Sequence, residues 1–187
     1  MSKRLIFLLA VFALWLPVFA IQKPLFMLYH ALENSSSLTD YLQVILHGVL
    51  LDCTISGYLT VIPLLCVLVS IWLPGTVYKK ILKGYFLIIA ILVAAIYAVD
   101  VALYGYWGFR LDATLFFYLQ SPKDAMASVP LKTFALQLVM FAAYAWVIYW
   151  LFKRLIIPLF PSTPVRRRLG GTIGILLVGG ILFIPIR

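Results

Sequence analysis

The sequence predicts an all-α membrane protein, a bundle of five transmembrane helices with its N-terminus in the cytoplasm and its C-terminus on the far side. Three observations predict it. Of the 187 residues, 65% are apolar and only 11% charged, with a mean hydropathy of +1.09. That leaves too little polar surface to cover a water-soluble domain of this size. The apolar residues fall into long runs, and a helix needs about 20 of them to cross roughly 30 Å of hydrocarbon. The 15 lysines and arginines gather in short clusters between those runs.

The first run covers residues 5–28, behind Lys3 and Arg4. A basic start, a breaker at Pro17 and the small-residue site Val18-Phe19-Ala20 also fit a cleavable leader. The apolar stretch continues to Leu28, however, long enough to span with tilt, which favours a retained helix. After a polar stretch, Ser37 with Asp40 three residues on forms a helix-start signal. The second run, about 41–73, exceeds one crossing by several turns, contains Pro63 and stops at Pro74-Gly75. It must tilt, kink or project above the lipid. Lys79, Lys80 and Lys83 follow in a loop, then a third span over 84–104. Residues 105–132 are amphipathic and aromatic, and Ser121-Pro122-Lys123-Asp124 carries a cap residue, a first-turn proline and an acid. Two short interfacial helices are expected here, in the outer loop between spans three and four. The fourth span runs over 133–152, before a basic stretch broken by Pro158, Pro161 and Pro164. The fifth, 170–186, is short and glycine-rich, with Gly170 and Gly174 at packing spacing.

Charge sets the orientation. Lys3, Arg4, Lys79, Lys80, Lys83, Lys153, Arg154, Arg166, Arg167 and Arg168 fall on one side. Lys23, Arg110, Lys123, Lys132 and Arg187 fall on the other. The richer side faces the cytoplasm. The net charge of +9 is therefore a membrane-orientation signal and not a nucleic-acid surface. Cys53 and Cys66 lie about 20 Å apart along one helix, beyond disulfide reach, and read as small apolar residues.

Two acids interrupt apolar runs, and a charge in hydrocarbon is costly enough to need a partner or a task. Asp52 shares a helix face with Gly48, Ser56 and Thr60 at four-residue spacing, a stripe suited to close packing and interhelical hydrogen bonds. Asp100 lies a turn from Tyr97 and Tyr104, with Arg110 as its candidate partner. Both acids are read either as satisfied contacts that hold the bundle or as part of an outer-leaflet headgroup pocket or ion path. His47 points about 140° away from Asp52 on the same helix and cannot pair with it. His30 reads as an interface residue. No nucleophile elbow, phosphate-cradling glycine loop or zinc triad is present, so no catalytic residue and no metal ligand is assigned within the chain.

The outer loop reads Tyr104-Gly105-Tyr106-Trp107-Gly108-Phe109-Arg110-Leu111-Asp112-Ala113-Thr114, then Phe117-Tyr118-Leu119 and Ser121-Pro122-Lys123-Asp124-Ala125-Met126-Ala127-Ser128. With His47-Gly48, Asp52 and Gly57-Tyr58-Leu59 ahead of Pro63, this resembles the membrane portion of bacterial lipoteichoic acid synthase-like proteins. These are phosphoglycerol transferases of the sulfatase superfamily. The resemblance implies a bacterial cytoplasmic (inner) membrane protein whose five spans precede an extracytoplasmic catalytic domain. That domain's threonine nucleophile and divalent metal, typically manganese, transfer glycerol phosphate from phosphatidylglycerol. Those residues lie outside the 187-residue resemblance, so this chain is expected to be catalytically incomplete and free of cofactor. Its partners would be membrane lipids and its own catalytic domain. Trp107, Arg110, Asp112, Lys123 and Asp124 are the candidates for contact with a headgroup or that domain, and Asp52, Ser56, Asp100 and His47 are the intramembrane polar set. The alternative is a small transporter or channel component with Asp52 and Asp100 on its path, or a membrane scaffold.

Overall fold

A computed structural model describes residues 2–31, 37–72, 76–108, 110–111, 131–161 and 168–182. Among these residues the fold is helical, with no strand. Five α-helices run Ser2–Tyr29 (α1), Leu38–Val69 (α2), Thr76–Trp107 (α3), Leu131–Leu151 (α4) and Arg168–Leu182 (α5). A π turn, Phe152–Ile156, and a 3₁₀ turn, Ile157–Leu159, extend α4. The first four helices are long and apolar enough to cross a membrane. Large apolar side chains also face outward, Leu50 being 70% exposed, which water would penalise and lipid does not. The protein is a multi-pass membrane protein.

The described part of α5 is shorter, 15 residues or about 22 Å. Residues 183–186 of the expected fifth span lie outside the described residues. Of the segment 105–132, the expected place of two interfacial helices, residues 105–107 end α3 and 131–132 begin α4, while 112–130 lie outside the described residues.

Residues 1–86 and 149–187 form one compact unit and residues 87–148 a second. In the first, α1 packs along α2, and α5 touches both. Ser37 precedes α2, and its backbone N–H donates to Asp40 Oδ2 at 2.7 Å, so the expected start signal operates. A column of rings fills the interior: Phe7 against Phe160 at 5.1 Å, Trp15 against Phe152 at 4.4 Å and Phe86 against Phe152 at 4.5 Å. All five are buried to within 1% of completely. In the second unit, Ala90, Ala94, Tyr97, Ala98 and Val101 form the buried stripe of α3 at helical spacing, and Tyr97 meets Tyr144 of α4 at 5.3 Å.

Several local expectations change. Pro17 and Pro63 do not interrupt their helices. In lipid an unpaired backbone group is so costly that the helix continues and the freed carbonyls find other donors. For Pro63 the donor is identified: the carbonyl it leaves unpaired, Leu59 O, accepts the Tyr85 hydroxyl at 2.6 Å. Helix α3 starts well ahead of residue 84, so Lys79, Lys80 and Lys83 are helical and not in a loop. Lysine is a good helix former, and hydropathy alone cannot separate a helical extension into the headgroups from a loop. Lys153 and Arg154 likewise sit in the π turn, where Ile157 N–H donates to Phe152 O. The wider turn carries the chain past Pro158, whose ring would clash with the Arg154 carbonyl in a regular α turn.

Arg4, expected at the membrane surface as an orientation signal, is buried. Its Nη2 donates to Ser70 O at 2.9 Å and its Nε to Ser70 Oγ at 3.3 Å, capping the C-terminal end of α2. His30, expected at an interface, is 5% exposed, with its ring 5.0 Å from both Phe26 and Tyr29. In α5 the buried stripe is Gly171, Ile175 and Gly179, not Gly170 and Gly174. A Cβ at Gly179 would lie 2.8 Å from Leu64 Cδ2, whereas Gly170 faces open space. The glycine run offers several registers, and the helix rotation that buries Ile175 selects among them.

Candidate functional site

The polar stripe on α2 is buried as its spacing requires. Asp52, Ser56 and Thr60 are 5%, 0% and 1% exposed. Thr60 Oγ1 donates back to Ser56 O at 2.6 Å, while Ser56 Oγ has no partner among the described residues. Asp52 is neutralised from α1: Lys23 Nζ donates to Asp52 Oδ2. The lysine stem reaches the acid across Gly48, where a Cβ would overlap Lys23 Cε. Gly48 therefore has a specific task, which is to leave a channel for the lysine. Side-chain exposures of 16% for Lys23 and 7% for Asp52 make this a part-buried pair whose acid is the more deeply placed member.

Sequence reasoning missed Lys23 as a site residue, counting it only among the basic residues of the outer side. The available signal was its place near the end of an apolar helix, matched by an acid inside the next. Each charge needs the other.

In the second unit Asp100 is 5% exposed, and it has the partner expected of it. Arg110 reaches Asp100 Oδ2 through Nε at 2.8 Å and Nη2 at 2.5 Å. The other oxygen, Oδ1, accepts the backbone N–H of Leu111 at 2.8 Å. Gly108 makes this possible. At φ +70° it turns the chain back after α3, with its N–H on Tyr104 O at 2.8 Å. Glycine enters this left-handed region without the cost a side chain incurs. Tyr97, three residues before the acid, is buried, and its hydroxyl has no partner among the described residues.

His47 is exposed, with Nδ1–H donating to Gln43 O at 2.7 Å, and it does not join Asp52. Trp107 ends α3, and nothing is described of its side chain. Asp112, Lys123 and Asp124 lie outside the described residues. The two cysteines are free, Cys66 buried and Cys53 half-buried.

Chemically, each intramembrane acid is paired with a cation, an arrangement that orients helices and loops. Among the described residues no three His, Cys, Asp or Glu side chains come together, so the divalent metal implied by the resemblance has no ligand set among them. No protein-family model, curated protein or solved structure matches the chain.

Proposed function

We propose that this chain is the membrane anchor of an extracytoplasmic phosphoglycerol transferase or sulfatase-like enzyme of the bacterial cytoplasmic membrane. In this reading the N-terminus lies inside, five helices cross, and the stretch that follows Trp107 offers lipid headgroups, phosphatidylglycerol among them, to the catalytic domain. The manganese or other divalent ion and the threonine nucleophile belong to that domain. The observation that carries the reading is the double grip of Asp100 on Arg110 and Leu111 N–H. It anchors the foot of the stretch that bears the resemblance, giving the aromatic sequence beyond it a fixed origin. Arg110 remains 59% exposed at the side chain while so held, and a guanidinium is well matched to phosphate.

The transporter reading is weaker because both acids that would line its path are engaged, Asp52 by Lys23 and Asp100 by Arg110. A scaffold role fits the same geometry but leaves the composition of the loop without a purpose. The test is the reading frame that encodes the chain, together with a topology reporter fused after residue 187. The expected result is a metallo-hydrolase domain downstream and a reporter active only outside the cytoplasm. A frame without such a domain, or a reporter active in the cytosol, removes the anchor reading.

A further inference from the structure

Four cations converge in the first unit with no counter-charge among the described residues. Lys79 and Lys83, one turn apart on α3, and Lys153 and Arg154 of the π turn line a cleft of about 650 Å³, together with Trp150 and Pro158. Among the described residues no carboxylate lines it, because each acid there is committed elsewhere. Asp40 caps α2, Asp52 holds Lys23 and Asp100 holds Arg110. Lys153 Nζ lies 5.7 Å from the centre of the Tyr149 ring, a weak contact that leaves its charge uncompensated. Trp150 is 45% exposed, an amphipathic ring of the kind that sits at headgroup level. Four uncompensated charges in one recess repel each other unless an anion enters.

We propose that this cleft binds the headgroup phosphate of an anionic phospholipid, its acyl chains running down the apolar helix surface beside Trp150. The recess lies where the basic clusters gather, the face that the charge distribution turns toward the anionic leaflet. This site is independent of the outer loop and stands whether or not a catalytic domain is attached.

The test uses the full 187-residue chain purified in a zwitterionic detergent, with native mass spectrometry reading bound lipid. The probes are phosphatidylglycerol, phosphatidylcholine and inorganic phosphate. Phosphatidylglycerol is expected to bind, and each cation removed from the cleft to weaken it about fivefold, so Lys83→Gln with Lys153→Gln loses about 25-fold. Lys80→Gln, which removes the same charge from the same helix outside the cleft, is expected to change binding less than twofold. A matching melting temperature for all three proteins excludes misfolding as the cause. Equal binding of phosphatidylcholine overturns the proposal, as does an equal loss in Lys80→Gln. If inorganic phosphate binds as tightly as the lipid, the occupant is a soluble anion and the lipid proposal also fails.

Discussion

The Tyr85 hydroxyl donates to the Leu59 carbonyl, the group that Pro63 leaves unpaired one turn on. A residue of α3 thus repairs the backbone of α2, and the two features stand or fall together. Tyr85→Phe removes the donor and leaves a carbonyl orphaned in an apolar setting, with an expected cost of about 1–3 kcal/mol. Pro63→Ala restores an N–H to Leu59 O and makes the tyrosine redundant. In a double-mutant cycle read by denaturant unfolding in micelles, the phenylalanine substitution should cost less than about 0.5 kcal/mol in the alanine background. Additive effects would show that the hydroxyl serves another partner.

Lys23 is half-buried over a buried Asp52, so breaking the pair and replacing it have different consequences. Lys23→Met leaves a carboxylate without a counter-charge and should destabilise by about 3–5 kcal/mol. Lys23→Met combined with Asp52→Leu removes both charges and should recover most of that loss. Gly48→Val pushes into the lysine stem, and its cost should fall in the Lys23→Ala background, where the stem is gone. Thermal unfolding of the five variants beside the unsubstituted protein measures all three relations.

Run length made the long apolar helices legible, because each crossing of the bilayer requires about 20 apolar residues. The Asp100–Arg110 pair was legible too, since ten residues of chain separate its members and the acid has few other candidates. Lys23–Asp52 was not, because pairing across α1 and α2 depends on helix register, which hydropathy does not encode. Tyr85 on Leu59 was hidden for the same reason. The helical state of Lys79 and Lys83 was hidden differently: an apolar pattern ends where the headgroups begin, but the helix need not. The basic cleft follows from that extension.

Asp100 holds its loop through a side-chain leg and a backbone leg, and these can be separated. The Arg110 leg is largely solvent-accessible and contributes less than about 1 kcal/mol. The Leu111 N–H leg is charge-assisted and closes the turn at Gly108. Arg110→Gln should therefore leave amide exchange at Leu111 nearly unchanged, while Asp100→Ala accelerates it about tenfold or more. Gly108→Ala, which must adopt a positive φ, should loosen both legs at a cost of about 1 kcal/mol. Hydrogen exchange resolved to residues 108–111 reads these outcomes, and protection at Leu111 that survives Asp100→Ala would place the loop's anchor elsewhere.

Helix α5 offers glycine pairs in more than one register, and its glycines differ in what surrounds them. Gly179 is buried with Leu64 beyond it, whereas Gly170 and Gly180 meet nothing within 4 Å. A leucine at 179 must displace Leu64 or tilt α5 away from α2, and overpacking of that kind costs about 1–3 kcal/mol. Leucine at 180 points into open space and meets no such clash, and in a lipid environment it adds only apolar surface. The expected order is therefore Gly179→Leu strongly destabilising and Gly180→Leu close to neutral in detergent-resolved unfolding. Leu64→Ala makes room for the new side chain, so it should relieve most of the penalty of Gly179→Leu while leaving Gly180→Leu unaffected. Failure of that rescue would mean that α5 meets α2 through a different face.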